Sequence, residues 1–367
     1  MAVEEPTLER SKLRNAAIVF VLGSVALLAL ALAFTTGDRT WTAIGEFGGW
    51  LIAVLFAVEF VRVGLEALGL FVLVNGTQDE KIGLRHCYSL TLEAYFVGQL
   101  IPVTAAGVPY QAFLLTRRGV RAGSATAVVL VKGFVPGVLF FVVLLATIVL
   151  AALGWKGPEA SLTFLKIVGP ISALPSAFVV TILVIMLARP ALFDRLVDRV
   201  TAFVASKLRG RAAARMEAMR VTMEEESHAF RGALSALGSH KRVVLVWGVL
   251  LVVLATLTEF VVGLIIMWGF GYRGSVVAPI LLQCLLKAIL AASPTPGSLA
   301  VGEGGYIGFF AAYLPSHVVG VSLVLWRLVV YFAPMFVGGA LVVRRLRRGR
   351  VVADGKKDLD RAPSGEV

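Results

Sequence analysis

The chain has 367 residues, of which 58% are hydrophobic and only 16% charged, with a formal charge of +12 and a mean hydropathy of +0.86. Water-soluble chains run near half apolar and about a quarter charged, so this composition excludes a soluble globular domain. The positive charge borders long apolar runs, which explains it as cytoplasmic flanking charge and removes the case for nucleic acid as a partner.

In chain order, residues 1–14 form a cytoplasmic N-terminus carrying Arg10, Lys12 and Arg14. They lead into an apolar run at 15–34 that resembles a signal peptide, but it is long for one and reads as an uncleaved first span. A second span, 48–74, contains Glu59, Arg62 and Glu66 at i, i+3 and i+7, a spacing that lets them pair as a structural ladder along one helical face. The apolar stretch 87–116 is interrupted between Pro102 and Pro109, so its pieces are too short to cross alone and it reads as a re-entrant or broken-helix hairpin. Spans three and four follow at 123–152 and 164–188. Segment 189–242 is a cytoplasmic insertion with eleven Lys/Arg. Its Phe193, Leu196, Val197, Val200, Phe203, Val204 and Leu208 follow helical spacing, which suits either an anionic lipid surface or the docking of a lipid-modifying enzyme. Span five is 243–270. A second broken hairpin, 276–314, is interrupted at Pro294, Pro296 and Gly297. Span six is 317–343, and the basic tail 344–367 turns charged and apolar-poor from Val351, a composition that favours disorder.

The predicted fold is therefore an all-α polytopic membrane bundle of six full spans and two broken hairpins. Lys and Arg fix its orientation, because the loops on the opposite side hold only Arg39, Lys156 and Arg273. Both termini fall inside, and the expected location is the cytoplasmic (inner) membrane. The halves 15–152 and 153–343 share one order, two spans, a hairpin and a span, in opposite orientations, which predicts an inverted-topology repeat. Gly107 precedes Lys132 by the same 25 residues that separate Gly302 from Arg327, and Pro136 and Pro334 follow the two cations.

A charge at the centre of a membrane helix costs ~3 kcal/mol or more, so such residues face protein or water and usually have partners. Lys132, Glu303 and Arg327 lie at or near both breaks and are expected to line a substrate path. Thr104 and Ser298 are candidate N-caps of helices restarting at the breaks, whose free N–H groups attract phosphate. Gly107, Gln111, Pro296, Gly297 and Gly302 complete the expected binding set. Lys132 and Arg327 would compensate a phosphate, and Glu303 would hold a cationic headgroup or act as a proton-linked switch. Glu93, Glu259 and Lys287 are open between path and structural roles.

The two breaks also carry a resemblance. Ile101-Pro102-Val103-Thr104-Ala105-Ala106-Gly107-Val108-Pro109-Tyr110-Gln111, followed by Arg118-Gly119-Val120, looks like the first signature of the lysylphosphatidylglycerol synthase transmembrane-region family. Pro294-Thr295-Pro296-Gly297-Ser298-Leu299-Ala300-Val301-Gly302-Glu303 resembles its second, and Trp326-Arg327-Leu328 with Tyr331, Pro334 and Gly338 resembles its closing span. Many relatives carry Gly-Gly where this chain has Ala106-Gly107. In bifunctional members a flippase module precedes a cytosolic aminoacyl-transferase domain. The resemblance implies the lipid-translocating half without that domain, or a stand-alone relative.

No HExxH, GxSxG or aspartate-rich diphosphate motif is present, and His86, His228, His240 and His317 are scattered toward loops and span ends. Cys87 and Cys284 read as buried free thiols, and no metal or cofactor is expected. The expected function is flippase-like transport of a phospholipid or polyprenyl-phosphate lipid. A membrane scaffold for a glycosyltransferase and an intramembrane lipid-modifying enzyme are the alternatives.

Overall fold

The computed structural model describes residues 10–35, 37–78, 81–100, 107–153, 242–291 and 295–345, with isolated positions besides. Every regular element among them is helical: α1 (Arg10–Thr35), α2 (Asp38–Glu46), α3 (Gly49–Thr77), α4 (Leu84–Leu100), α5 (Gly107–Thr116), α6 (Ala122–Ala152), α7 (Arg242–Gly269), α8 (Val277–Ala291), α9 (Val301–Phe310) and α10 (Ser316–Arg327). The path of α10 continues through a π-helical turn, Leu328–Phe332, to Arg345. The expected span 164–188 and the insertion 189–242 lie outside the described residues, apart from single positions, as does the tail from Val351.

Among the described residues, Ala122–Val143, Arg242–Gly269 and Ser316–Arg345 are long and apolar enough to cross a membrane. The end of α1 and α2 pass that test together, although α2 is bent from α1 by 113°. Helix α3 has 29 residues, ample length for a crossing, but carries Glu59, Arg62 and Glu66. Helix α2 was not foreseen, since residues 35–47 read as a plain external loop. Gly37 N–H donates to Thr40 Oγ1, closing its first turn, while Thr40 Oγ1 donates to the carbonyl of His317 and ties it to α10. Trp41 and Ile44 remain exposed, as suits a helix lying at an interface.

Two helices stop short where the sequence breaks. Helix α4 ends at Leu100 and α5 begins at Gly107, while α8 ends at Ala291 and α9 begins at Val301. In each pair the second helix packs back on the first. Gly107 allows this in the first pair, because a Cβ there would lie 2.8 Å from the carbonyl oxygen of Ala94.

The centre of the bundle is the crossing of α3 and α7. Gly69 lies against Gly248 and Val252, and Gly76 against Val244, so the helices run antiparallel with their backbones close. A Cβ on Gly248 would sit 2.5 Å from the Leu73 side chain, so a larger residue would force that side chain to move. Two hydrophobic cores flank this crossing. One gathers Leu70, Leu73, Cys87, Leu90, Leu115 and Val128 from α3 to α6. The other gathers Val262, Leu286, Tyr306, Phe310, Trp326 and Tyr331 from α7 to the π turn. Both cysteines are free and buried, as expected. Leu22, Leu145, Trp247, Leu250, Leu254 and Leu257 are exposed along the long helices, which fits hydrocarbon surroundings better than water.

Candidate functional site

A cavity of about 330 Å³ opens where the two cores meet. Its walls come from α3, α4, α5, α6, α7, α8, the second break and the π turn. Its charged lining is Arg62, Lys132 and Lys287 against Glu66 and Glu259. A second hollow, between Trp50 and Arg273, has one charged side chain, and Arg273 donates to the carbonyls of Trp268 and Tyr272. The first is therefore the candidate site.

The charges form a connected set. Arg62 Nε donates to Glu59 Oε2 at 2.9 Å, and Arg62 Nη1 lies 3.7 Å from Glu66. Arg62 Nη1 also donates to the Tyr95 hydroxyl at 2.7 Å, and that hydroxyl donates to Glu66. Lys132 Nζ reaches Glu66 Oε1 at 2.7 Å from α6. Across the cavity Lys287 on α8 pairs with Glu259 on α7. The Lys287 ammonium also lies 5.3 Å from the ring centroid of Tyr331, within cation–π range. The ladder expected within α3 is present, but only Glu59 is purely internal, because Arg62 and Glu66 face the cavity.

The second break is a strained turn held by an arginine. Gly297, Ser298 and Ala300 have φ of 57°, 54° and 66°, a left-handed conformation that is costly for the last two. Arg327 Nη1 donates to the carbonyl of Gly297 at 3.0 Å and Nη2 to that of Ser298 at 3.3 Å. Ser298 Oγ donates to the carbonyl of Leu290, closing the end of α8. Glu303, on the first turn of α9, lies 2.9 Å from Arg327 Nη2, an ion pair by distance. Its alignment is poor, since neither Glu303 oxygen nor Arg327 Nε makes a hydrogen bond among the described residues. Gly302 leaves room for this clamp, as a Cβ there would fall 2.0 Å from Arg327 Nη2.

Glu303, Arg327 and Gly302 do not line the cavity, because the carbonyls of the break draw the guanidinium inward and the carboxylate follows it; Glu303 is 4% exposed and Arg327 2%. Lys132, Gly107, Gln111, Gly297, Ser298, Glu259 and Lys287 do line it. Gln111 Nε2 donates to Thr91 Oγ1 at 3.4 Å, across the first broken pair. Pro296 opens the short helical turn Pro296–Ser298, and Thr104 lies outside the described residues. Glu93 is buried away from the cavity and pairs with Arg345 at 2.8 Å, joining α4 to the end of the last helix.

Sequence reasoning missed Tyr95, Thr91 and Gln99 as lining residues, and gave Tyr331 only as part of a motif. A lone tyrosine or glutamine in an apolar helix carries no sequence signal. Among the described residues, no three His, Cys, Asp or Glu side chains converge as a metal site.

A helical bundle with apolar outer faces and a charged cavity between two interrupted helix pairs defines a polytopic membrane protein with an internal polar site. The chain belongs to the lysylphosphatidylglycerol synthase TM region family, whose match spans residues 16–338. It is also similar to a UPF0104 membrane protein of Archaeoglobus fulgidus, 23% identical over 341 residues, covering 91% of this chain and 98% of the relative. The protein is thus a multi-pass integral membrane protein of a family related to lipid handling.

Proposed function

We propose that the protein is a flippase-like transporter rather than an enzyme, moving a phosphate-bearing lipid headgroup through the cavity between the two broken helix pairs. The observation that carries this reading is the cavity lining: Arg62, Lys132, Lys287, Glu66 and Glu259 brought together inside an apolar bundle. Charges in such surroundings are costly, and a lining that keeps five of them open to a cavity replaces the water a headgroup leaves behind. Gly107 and the Gly297–Ser298 turn expose backbone to the same space, where a helix start adds N–H donors. In this reading both breaks are re-entrant hairpins, α3 and α7 are matching spans of an inverted repeat, and both termini face the cytoplasm from the inner membrane. The antiparallel crossing of α3 and α7 supports the repeat, since matching spans of opposite orientation must run antiparallel.

A phospholipid carrying a photoreactive group in its headgroup tests the path. After irradiation in membranes, adducts are expected on the cavity faces of α4 and α5, around Gln99 and Gln111, and not on the outward face of α7 around Leu250. Adducts confined to outward faces would contradict the path.

A further inference from the structure

Glu59, Arg62, Glu66, Lys132, Glu259 and Lys287 together sum to zero charge, each cation being matched by one carboxylate. No cation in the set is spare. An anionic headgroup entering the cavity therefore leaves a net negative charge in an apolar bundle, and a lysine it draws away uncovers a carboxylate. The two lysine pairs differ in what they leave behind. Glu66 without Lys132 retains the Tyr95 hydroxyl and Arg62. Glu259 has no hydrogen-bond or ion-pair partner except Lys287 among the described residues.

Resting on the transport reading, we propose that Glu259 is the proton-binding site that couples movement of an anionic lipid to protons. The headgroup phosphate takes Lys287, and the released Glu259 carboxylate accepts one proton from water on the side the lipid enters. The proton forms an O–H bond at a Glu259 oxygen, no covalent bond of the lipid changes, and the proton leaves when Lys287 returns. The cavity gains one negative and one positive charge, so transport of a singly charged lipid is electroneutral.

The surroundings of Glu259 fit this role. Arg62 and Glu66 of α3 act on it electrostatically across the cavity, and Lys287 holds it from α8. Glu59 of α3, Tyr95 of α4 and Cys284 of α8 also lie within its field. Arg62 cannot replace Lys287, because its guanidinium is already committed to Glu59 and Tyr95. Lys132 of α6 is engaged with Glu66. The Lys287 ammonium already lies 5.3 Å from the ring centroid of the cavity-lining Tyr331, a contact it can keep once it leaves Glu259.

The test uses the full chain in proteoliposomes, with acyl-labelled phosphatidylglycerol as the anionic probe and acyl-labelled phosphatidylcholine, which carries its own cation, as the neutral one. A pH gradient and a potassium-diffusion potential are imposed separately. With one proton per lipid, a gradient of one pH unit is expected to hold about a tenfold asymmetry of phosphatidylglycerol at steady state. The imposed voltage should have no effect, and phosphatidylcholine should respond to neither. Glu259→Gln should lose the response to pH and acquire one to voltage. Phosphatidylglycerol that follows voltage and ignores pH in the wild type overturns the proton site but leaves the transport reading standing. A probe that moves under no condition overturns both. The wild-type measurements decide the matter even if Glu259→Gln does not fold.

Discussion

Arg327→Ala is expected to destabilise the folded protein by ~3–5 kcal/mol, the range for removing one partner of a buried ion pair. Three groups lose their partner at once: the carboxylate of Glu303 and the carbonyls of Gly297 and Ser298. The turn they belong to already carries left-handed Ser298 and Ala300, so it depends on the guanidinium to stay folded. Loss of the side chain also opens space beneath Trp326 and Tyr331, whose rings lie 5.5 and 4.3 Å from the Arg327 guanidinium carbon. The measurement is thermal unfolding in detergent, with accumulation in the membrane as a second readout. Arg327→Met combined with Glu303→Met should recover much of the loss, because an apolar pair of similar volume removes the stranded charge. A variant that melts like wild type yet fails to transport would place Arg327 on the path instead, as its position in the sequence first implied.

Lys132→Ala is expected to do the reverse. Its partner Glu66 keeps the Tyr95 hydroxyl and the nearby Arg62, so no carboxylate is stranded and the melting temperature should fall little. The cavity, however, loses one of its three cations. Lys132 can keep Glu66 and donate a second N–H to phosphate, and losing such a charge-assisted hydrogen bond of ~1.5–3 kcal/mol corresponds to a roughly 10- to 100-fold loss in transport rate. Lys132→Arg, which restores the charge, should recover part of it. A melting loss as large as that of Arg327→Ala, or an unchanged rate, contradicts the assignment. The two cations occupy matched positions 25 residues behind the glycines of their breaks, and they are expected to separate cleanly in this pair of assays.

The two cations illustrate what the sequence could and could not convey. Helix ends were legible to within a few residues, 48–74 against Gly49–Thr77 and 243–270 against Arg242–Gly269, because apolar run length sets them. Both breaks were legible from proline and glycine. The partner of each charge was not. Lys132 and Glu66 are 66 positions apart, and Arg327 meets the Gly297 carbonyl across 30, so their partnerships exist only once the helices pack. Glu303 shows what local reasoning leaves out, its ion-pair partner Arg327. A carboxylate on a first turn beside three glycines looks like a ligand site, and only the packed fold shows that Gly302 also makes room for Arg327. Helix α2 was missed because its alternation of polar and apolar residues is too short to stand out between longer apolar runs.

The central claim, that lipid moves through this chain without being changed, is tested most directly by the purified protein in liposomes with an acyl-labelled phospholipid. Label protected in the inner leaflet should become accessible to an external quencher faster than in protein-free liposomes, and the extracted lipid should migrate as the unmodified compound. Accessibility no faster than in protein-free liposomes, or recovery of a chemically altered lipid, would contradict the account.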